Sequence, residues 1–345
     1  MAIADVEIFG GGIFGLAVAF SCARRGVSVR VVEKRRIGSG ASGGILGTLA
    51  PHVPDNWNPK KQFQFESLTM AGTWWSDAEH HSGLACSYVR NGRFQPIADE
   101  SAMRLAVERQ KAARRNWGRA AEWQILKPES TWVPETETGY AVFDTLSAQI
   151  QPRNALHCLA EAVRRLGGDI SEGCADSNGA AATVHATGFE GLLTLNSELG
   201  LTVGRGEKGQ AALFVCDHAD SAQVFAEGIH LVPHQDGNIA VGSTSERNHN
   251  GRTDTDQRLE RLIEKSRHLF PRLRKVPVIG RWAGIRPRAS SRAPLLGPYP
   301  GKPDHYIVNG GFKIGFGLAP KIGETMADLI LLGRDNIPDA FLPPG

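Results

Sequence analysis

The stretch that most constrains the fold lies at residues 6–33 and reads VEIFGGGIFGLAVAFSCARRGVSVRVVE. Residues 6–9 are mainly apolar and include two β-branched side chains, which is typical of a strand buried on both faces. Residues 13–25 predict a helix that stops at Gly26, and residues 27–32 predict a second strand. The stretch therefore predicts a βαβ unit of the usual length.

Three glycines mark the turn between the first strand and the helix, spaced Gly10-x-Gly12-x-x-Gly15. Gly10 permits a tight turn, Gly12 lets the backbone approach a pyrophosphate, and Gly15 lets the helix pack close to the strand. The helix N-terminus presents free N–H groups and a partial positive charge to phosphates. Glu33, 18 residues after Gly15, is placed to accept hydrogen bonds from ribose hydroxyls. In this context the motif predicts a dinucleotide site.

Length and composition indicate an ordinary globular protein. The 345 residues can bury a large core and predict two domains. A formal net charge of +3 is too small to indicate a polyanionic partner. The first strand begins within six residues of the start, so we expect no signal peptide, and the apolar run at 13–20 is too short to span a membrane. Five cysteines without a CxxC pair predict reduced thiols in a cytoplasmic protein.

A loop rich in small residues follows Glu33. Residues 34–47 read KRRIGSGASGGILG, so that backbone N–H groups could lie against a flat ligand without intervening side chains. A flexible linker is the alternative interpretation. The position of the loop directly after the expected ribose ligand favours contact with the cofactor.

The segments GGGIFGLAVAF and VVEKRRIGSGASGGILG resemble the amino end of the FAD-dependent D-amino-acid oxidase superfamily, which includes glycine oxidase and sarcosine oxidase. Further motifs of the family lie in the middle of the chain and near its carboxyl end. The resemblance implies FAD as a non-covalent cofactor and no metal. The residues expected to contact FAD are Gly10, Gly12, Ile13, Phe14, Gly15, Glu33, Lys34, Ala41, Ser42, Gly43, Gly44, Ile45, Ala175, Thr187, Gly188, Gly311, Phe312, Lys313, Ile314, Gly315 and Phe316.

The resemblance also implies an α/β fold (α+β, two-domain), in which a mixed-sheet substrate domain is inserted into a Rossmann-type FAD-binding domain. The FAD-binding domain would be discontinuous and comprise residues 1–85, 140–203 and 294–345. The substrate-binding domain would comprise residues 86–139 and 204–293.

Local patterns place further elements. Asn91-Gly92 is typical of a type I′ turn and predicts a β-hairpin over residues 88–94. Helices are predicted at 63–75, 100–119, 151–166 and 256–268, and strands at 169–170, 182–188, 229–233 and 239–244. The helix at 100–119 carries six basic residues, which favours a solvated face; a nucleic-acid surface is the alternative.

The segment WAGIRP at 282–287 resembles the G-x-R-P strand of the family, in which an arginine holds the substrate carboxylate. Arg286 is the matching residue. A guanidinium group presents a planar fork that binds a carboxylate with two hydrogen bonds, and Pro287 favours an extended backbone at Arg286. A surface salt bridge near Arg288 and Arg292 is the alternative interpretation.

Two further residues are candidates for contact with substrate. Residues 309–320 (NGGFKIGFGLAP) resemble the terminal flavin-contacting loop of the family, and Lys313 lies where several members carry a basic residue. His230 lies where relatives carry an aromatic residue or histidine facing the substrate. A solvated lysine and a core histidine are the alternatives. His230 and His234 are four residues apart in a strand, which is not the helical spacing of a metal pair.

These patterns predict an FAD-dependent oxidoreductase that oxidises the C–N bond of an amino acid or N-substituted glycine by hydride transfer to flavin N5. Arg286, Lys313 and His230 are the expected catalytic residues. O2 or another acceptor would reoxidise the flavin, and neither a membrane nor a nucleic acid is an expected partner. Two alternatives stay open: the FAD domain of a tRNA wobble-uridine modifying enzyme, and a catalytically silent flavin-binding scaffold.

Overall fold

A computed structural model describes residues 4–216 and 221–344. Its helices are α1 (Ile13–Ala23), α2 (Pro59–Ser82), α3 (Glu100–Asn116), α4 (Pro152–Arg165), α5 (Gly188–Leu199), α6 (Gln257–Leu269) and α7 (Gly315–Leu332). Its strands are β1 (Ala4–Phe9), β2 (Val29–Glu33), β3 (Thr48–Leu49), β4 (Arg93–Pro96), β5 (Trp123–Leu126), β6 (Ala141–Asp144), β7 (Ala148–Gln149), β8 (Asp169–Glu172), β9 (Ala180–His185), β10 (Gly204–Val215), β11 (Gln223–Ala226), β12 (Ile229–Pro233), β13 (Asn238–Gly242), β14 (Val278–Ala289), β15 (Leu295–Pro298) and β16 (His305–Asn309).

Two large sheets organise the described residues. The first has the order β15-β16-β9-β1-β2-β8 and is parallel except for the pair β15–β16. Helices α1, α2, α4 and α7 pack together beside it, and α1 is buried along its whole length. A short antiparallel pair, β3–β7, lies outside both sheets. The first sheet is the doubly wound arrangement that the βαβ unit predicts.

The second sheet has eight strands in the order β14-β10-β13-β12-β11-β4-β6-β5. Its pairs are antiparallel except for β11–β4, which is parallel. A separate core cluster, which includes Phe214, Leu231 and Phe270, packs against it beneath α6. The α/β fold class with a Rossmann-type sheet and a mixed second sheet is confirmed. Strand β6 belongs to the second sheet, so a boundary drawn from the sheets falls after this strand, not at residue 140.

The predicted hairpin at Asn91-Gly92 is wrong. Val89 pairs with Gln149 on one side of the turn, while β4 pairs with β6 and β11 on the other. Gly92 does adopt a positive φ of 79°. A type I′ turn requires a positive φ at both central residues, and Asn91 does not have one, so the predicted turn type is wrong as well.

Three other elements differ in length from the predictions. Helix α2 runs well beyond residues 63–75, because Asn58 caps its N-terminus and Gly83 ends it with a φ of 67°. Strand β9 stops at His185, since Gly188 has a φ of 60° and opens α5. Helix α3 ends at Asn116 rather than 119.

Helices α1 and α7 approach closely at Gly323. A Cβ atom added to Gly323 would lie 2.7 Å from the carbonyl oxygen of Ala17 and 2.6 Å from Ser21 Oγ. Next to this contact, Glu324 accepts hydrogen bonds from Ser21 Oγ at 2.6 Å and from Trp74 Nε1 at 3.1 Å. The absence of a side chain at 323 thus sets the distance between the two helices.

We expect Gly323→Ala to lower the free energy of unfolding by about 1–3 kcal/mol, because the added methyl group meets backbone. Gly72→Ala is the matched control: its Cβ would meet only the Tyr88 ring, at 3.9 Å, and we expect a gain of up to about 1 kcal/mol from helix propensity. Urea unfolding of both variants tests this. Equal stabilities would contradict the tight contact.

Candidate active site

A cavity of about 850 Å³ is lined by residues from both sheets. The turn after β1, the loop after β2, the end of β9 and the segment that enters α7 form its cofactor side, and β14 forms the opposite wall. The volume lies in the range of cofactor and small-ligand sites.

The three glycines of the first turn have different surroundings. A Cβ at Gly10 would lie 2.3 Å from the carbonyl oxygen of Ala186, and one at Gly15 would lie 2.0 Å from that of Gly10. Gly12 is different: its backbone is extended (φ −86°, ψ −179°), and an added Cβ would meet only Ser42 Oγ, at 3.2 Å. The fold thus excludes side chains at Gly10 and Gly15, whereas at Gly12 an added side chain would enter the space where a ligand would lie.

Polar groups surround the N-terminus of α1. The Ile13 N–H donates to Ser42 Oγ at 3.0 Å, and the Glu33 carboxylate accepts from Gly11 N at 2.8 Å and from Arg35 N at 2.9 Å. Glu33 lines the cavity and is held at its edge by these backbone bonds. A helix N-terminus beside a fixed carboxylate fits a pyrophosphate followed by a ribose. Lys34 instead forms an ion pair with Glu190.

The second glycine-rich segment, residues 309–320, is hydrogen-bonded to β14. The Phe312 N–H donates to the carbonyl of Pro287 at 2.9 Å, and Phe312 itself has a φ of 44°. A Cβ on Gly311 would lie 2.6 Å from the Phe14 ring. Gly315 and Phe316, at the start of α7, line the cavity, so the positive end of this helix faces it.

Most of the residues predicted to contact FAD line this cavity: Gly10, Gly12, Ile13, Phe14, Glu33, Lys34, Ala41, Ser42, Gly44, Ala175, Thr187, Gly188, Gly311, Phe312, Lys313, Gly315 and Phe316. The wall formed by the described residues does not include Gly15, Gly43, Ile45 or Ile314. Gly43 packs on Gly38, since a Cβ there would lie 2.0 Å from the Gly38 carbonyl oxygen. Ile45 is buried in the fold, and Ile314 faces a smaller neighbouring cavity.

Arg286 lies inside the cavity wall rather than in a surface salt bridge. It is 8% exposed, and its guanidinium donates to the carbonyl oxygen of Thr244 at 3.2 Å. In the described part of the chain, no carboxylate lies within ion-pair distance of Arg286. The nearby Glu207 forms an ion pair with Arg288 instead. Burial lowers the pKa of Arg286 to about 10, which leaves it charged at neutral pH. The site thus holds a positive charge without a bonded counter-ion.

The surroundings of Arg286 include residues that the sequence motif does not reveal. A Cβ on Gly209 would lie 1.8 Å from the Arg286 guanidinium, so this side chain crosses β10 only because residue 209 is glycine. Trp282 lies on the same face of β14, and the Arg286 guanidinium carbon is 5.9 Å from its ring. The alternation 282, 284, 286 along a strand could have indicated Trp282. Gly209 has no such local signal.

His230 and Lys313 both line the cavity. The His230 ring lies 4.4 Å from the Phe225 ring, and burial lowers the pKa of His230 to about 3, with a further lowering from Arg93 and Lys313. His230 is therefore neutral at physiological pH. Lys313 is an exposed residue at the cavity; partial desolvation by the surrounding protein and the Arg286 charge lower its pKa, and Glu207 opposes this.

Residues 5–329 match the family described as FAD dependent oxidoreductase. The chain belongs to this family, and its cofactor is FAD. It is similar to the glycine oxidase of Pseudomonas putida, with 27% identity over 99% of this chain and 98% of the relative. It is 25% identical to the glycine oxidase of Geobacillus kaustophilus over 94% and 92% of the two chains.

Solved structures share the fold. A crystal structure of glycine oxidase from Geobacillus kaustophilus superposes with a TM-score of 0.87 at 22% identity, covering 100% of this chain and 99% of the other. L-amino acid deaminase from Proteus vulgaris gives a TM-score of 0.81 at 20% identity, covering 99% and 93%. Within residues 4–216 and 221–344, no helix combines the length and apolar character needed to cross a bilayer.

We expect Gly12→Val to fold normally but to purify with little or no FAD. Its backbone conformation is open to any residue, whereas the branched side chain would occupy the space at the N-terminus of α1. Wild type should release intact FAD on mild denaturation. The measurements are the FAD-to-protein ratio and far-ultraviolet circular dichroism, with Gly72→Ala as the control that keeps its FAD. Full FAD content in a folded Gly12→Val variant would place the pyrophosphate elsewhere.

Proposed function

We propose that this protein oxidises the C–N bond of an amino acid or N-substituted glycine. The observation that carries the proposal is Arg286, a buried guanidinium without a bonded counter-ion, in the wall of the cavity that the cofactor motifs line. A buried charge without a partner is costly, so the position favours a ligand that carries a carboxylate. The likeness to glycine oxidases supports the same substrate class.

The chain's own residues would hold the cofactor at three places. The α1 N-terminus with Gly12 would bind the pyrophosphate, Glu33 the ribose, and the segments 41–45 and 311–316 the flavin. FAD, when bound, supplies the acceptor for the hydride of the substrate α-carbon. We propose that it is bound without a covalent link.

The protein would then act by positioning and by excluding water. Arg286 would bind the substrate carboxylate through two hydrogen bonds and so orient the α-carbon. Trp282 forms one wall beside it, and Leu46, whose side chain lies against Gly242 of β13, forms another part of the lining. A substrate whose amine arrives neutral needs no dedicated base. O2 or another acceptor completes the turnover.

Anaerobic mixing of the purified holoenzyme with a panel of amino acids and N-alkylglycines tests the proposal. We expect the absorbance of oxidised flavin to bleach with at least one member that carries both an amine and a carboxylate. Flavin that no amine bleaches would favour the silent scaffold. Binding of tRNA that weakens steeply as salt rises would favour the tRNA-modifying alternative.

We expect Arg286→Leu to lower kcat/KM by roughly two to four powers of ten, since losing one partner of a buried pair costs about 3–5 kcal/mol. Arg286→Lys should recover only part of this, because an ammonium cannot reproduce the planar fork. FAD content should stay near normal in both variants.

The matched control is Arg281→Leu, on the same strand, where the arginine is 45% exposed and paired with Glu260. It should change kcat/KM little. An amine without a carboxylate should be a poor substrate that is nearly indifferent to Arg286→Leu. Activity of Arg286→Leu within about threefold of wild type would overturn the assignment of this site.

A further inference from the structure

A second, smaller cavity of about 140 Å³ opens beside the first. The two share Thr48, His230 and Lys313 as lining residues, so they adjoin at this point. Arg93 and Gln64 line only the smaller one of the two. A cavity needs only ~10–15 Å³ to hold one water, so this space can accept several water molecules or a group the size of a carboxymethyl.

Two cationic side chains, Arg93 and Lys313, line the smaller cavity, and their charges are only partly balanced by carboxylates. The Arg93 side chain is 6% exposed; its Nε donates to Asp144 at 3.0 Å, while its two terminal nitrogens form no hydrogen bond to any described residue. The Lys313 ammonium likewise has no hydrogen-bond or ion-pair partner in the described ranges. Asp144 balances Arg93, so Lys313 leaves the cavity with one net positive charge.

His230 adds an unpaired polar atom. Its Nδ1 is buried and has no hydrogen-bond partner among the described residues. Because the ring is neutral, either nitrogen can carry the proton, and the ring can therefore donate a hydrogen bond to an acidic ligand. Buried polar atoms are rarely left unpaired, which indicates a ligand or ordered water at this place.

The register of the second sheet places the two cationic regions at opposite ends of one surface. Trp282 pairs with Ala211, Ala211 with Gly242, and Gly242 with His230. Directly paired residues face the same side, so small residues occupy the middle of a row that ends in Trp282 and His230. The larger cavity is lined by Arg286 and also by His230 and Lys313, which border the smaller cavity. A ligand bound at Arg286 therefore lies in a space that extends to the residues that the two cavities share.

We propose that the smaller cavity binds a second acidic group of the substrate, so that the preferred substrate is an amino acid with a further carboxylate on its side chain or on its N-substituent. The inference rests on the proposed function and deepens it. Arg286 would bind the α-carboxylate, while Lys313, Arg93 and His230 would bind the second. The pKa of Lys313, which partial desolvation and the Arg286 charge lower, should rise when this acid is bound.

The test compares pairs that differ only in the second carboxylate. N-(3-carboxypropyl)glycine against N-butylglycine probes the N-substituent, and glutamate against norvaline, as both enantiomers, probes the side chain. We expect the acidic member of one pair to have a kcat/KM at least tenfold higher, as a charge-assisted contact implies. The pair that shows the preference identifies where the second carboxylate is attached.

Variants separate this contact from general effects. Lys313→Met should bring the kcat/KM ratio between acidic and neutral members toward one, and Lys313→Glu should reverse the preference. Lys265→Met is the control. Lys265 lies on helix α6, is 47% exposed and forms an ion pair with Glu227. It should leave the ratio unchanged. A Lys313→Met variant that slows both members equally would overturn the inference.

Binding gives a readout that does not need turnover. Calorimetry with the holoenzyme would compare dicarboxylates from succinate to pimelate with monocarboxylates of equal length. We expect one dicarboxylate to bind at least tenfold more tightly, and Lys313→Met to remove the difference. Equal binding would mean that the cavity holds only water and would overturn the inference, even if amines are oxidised. If dicarboxylates bind more tightly than monocarboxylates but no amine is oxidised, the proposed function is wrong and the inference about the smaller cavity is supported.

Discussion

The cofactor side of this protein depends on the close approach of three backbone segments at one edge of the first sheet. Gly10 lies against the carbonyl of Ala186 after β9, and Gly15 lies against the carbonyl of Gly10. A side chain at either position would force β1, α1 and β9 apart. Because they close so tightly, the free N–H groups of α1 face the cavity, and Glu33 at the end of β2 lies beside them.

A second constraint is the burial of the Arg286 charge. Strand β14 carries it along the edge of the second sheet, and Gly209 on the neighbouring strand leaves the room that the guanidinium needs. The backbone carbonyl of Thr244 provides partial solvation, but no carboxylate within the described residues neutralises the group directly. Such a site is prepared for an anion, because binding one removes an electrostatic cost that the folded protein already bears.

The register of the second sheet joins these features into one surface. Ala211 and Gly242 lie side by side in the row between Trp282 and His230, and the absence of a side chain at Gly242 leaves room for Leu46, which lines the cavity. A shift of one residue in the pairing would turn this row to the other face. The shape of the site is therefore a property of strand pairing as much as of the residues themselves.

The sequence by itself determined the βαβ unit, the cofactor turn and the identity of Arg286 as the candidate carboxylate ligand. The βαβ unit and its turn are recognisable because glycine spacing and the strand pattern act over a few residues, whereas Arg286 was indicated by the resemblance of residues 282–287 to a motif of the family. Asn91-Gly92 shows the limit of local signals: only Gly92 adopts the positive φ of the predicted turn, and the segments on either side join different strands, since pairing partners depend on the whole sheet.

Only the tertiary structure decided that Gly43 and Ile45 are not among the described residues that line the cavity, and that Arg93 approaches Lys313 and His230. Arg93 reaches them through the parallel pairing of β4 with β11, two segments far apart in the chain. No local pattern encodes such a contact, because its free energy comes from strand pairing and burial at long sequence separation.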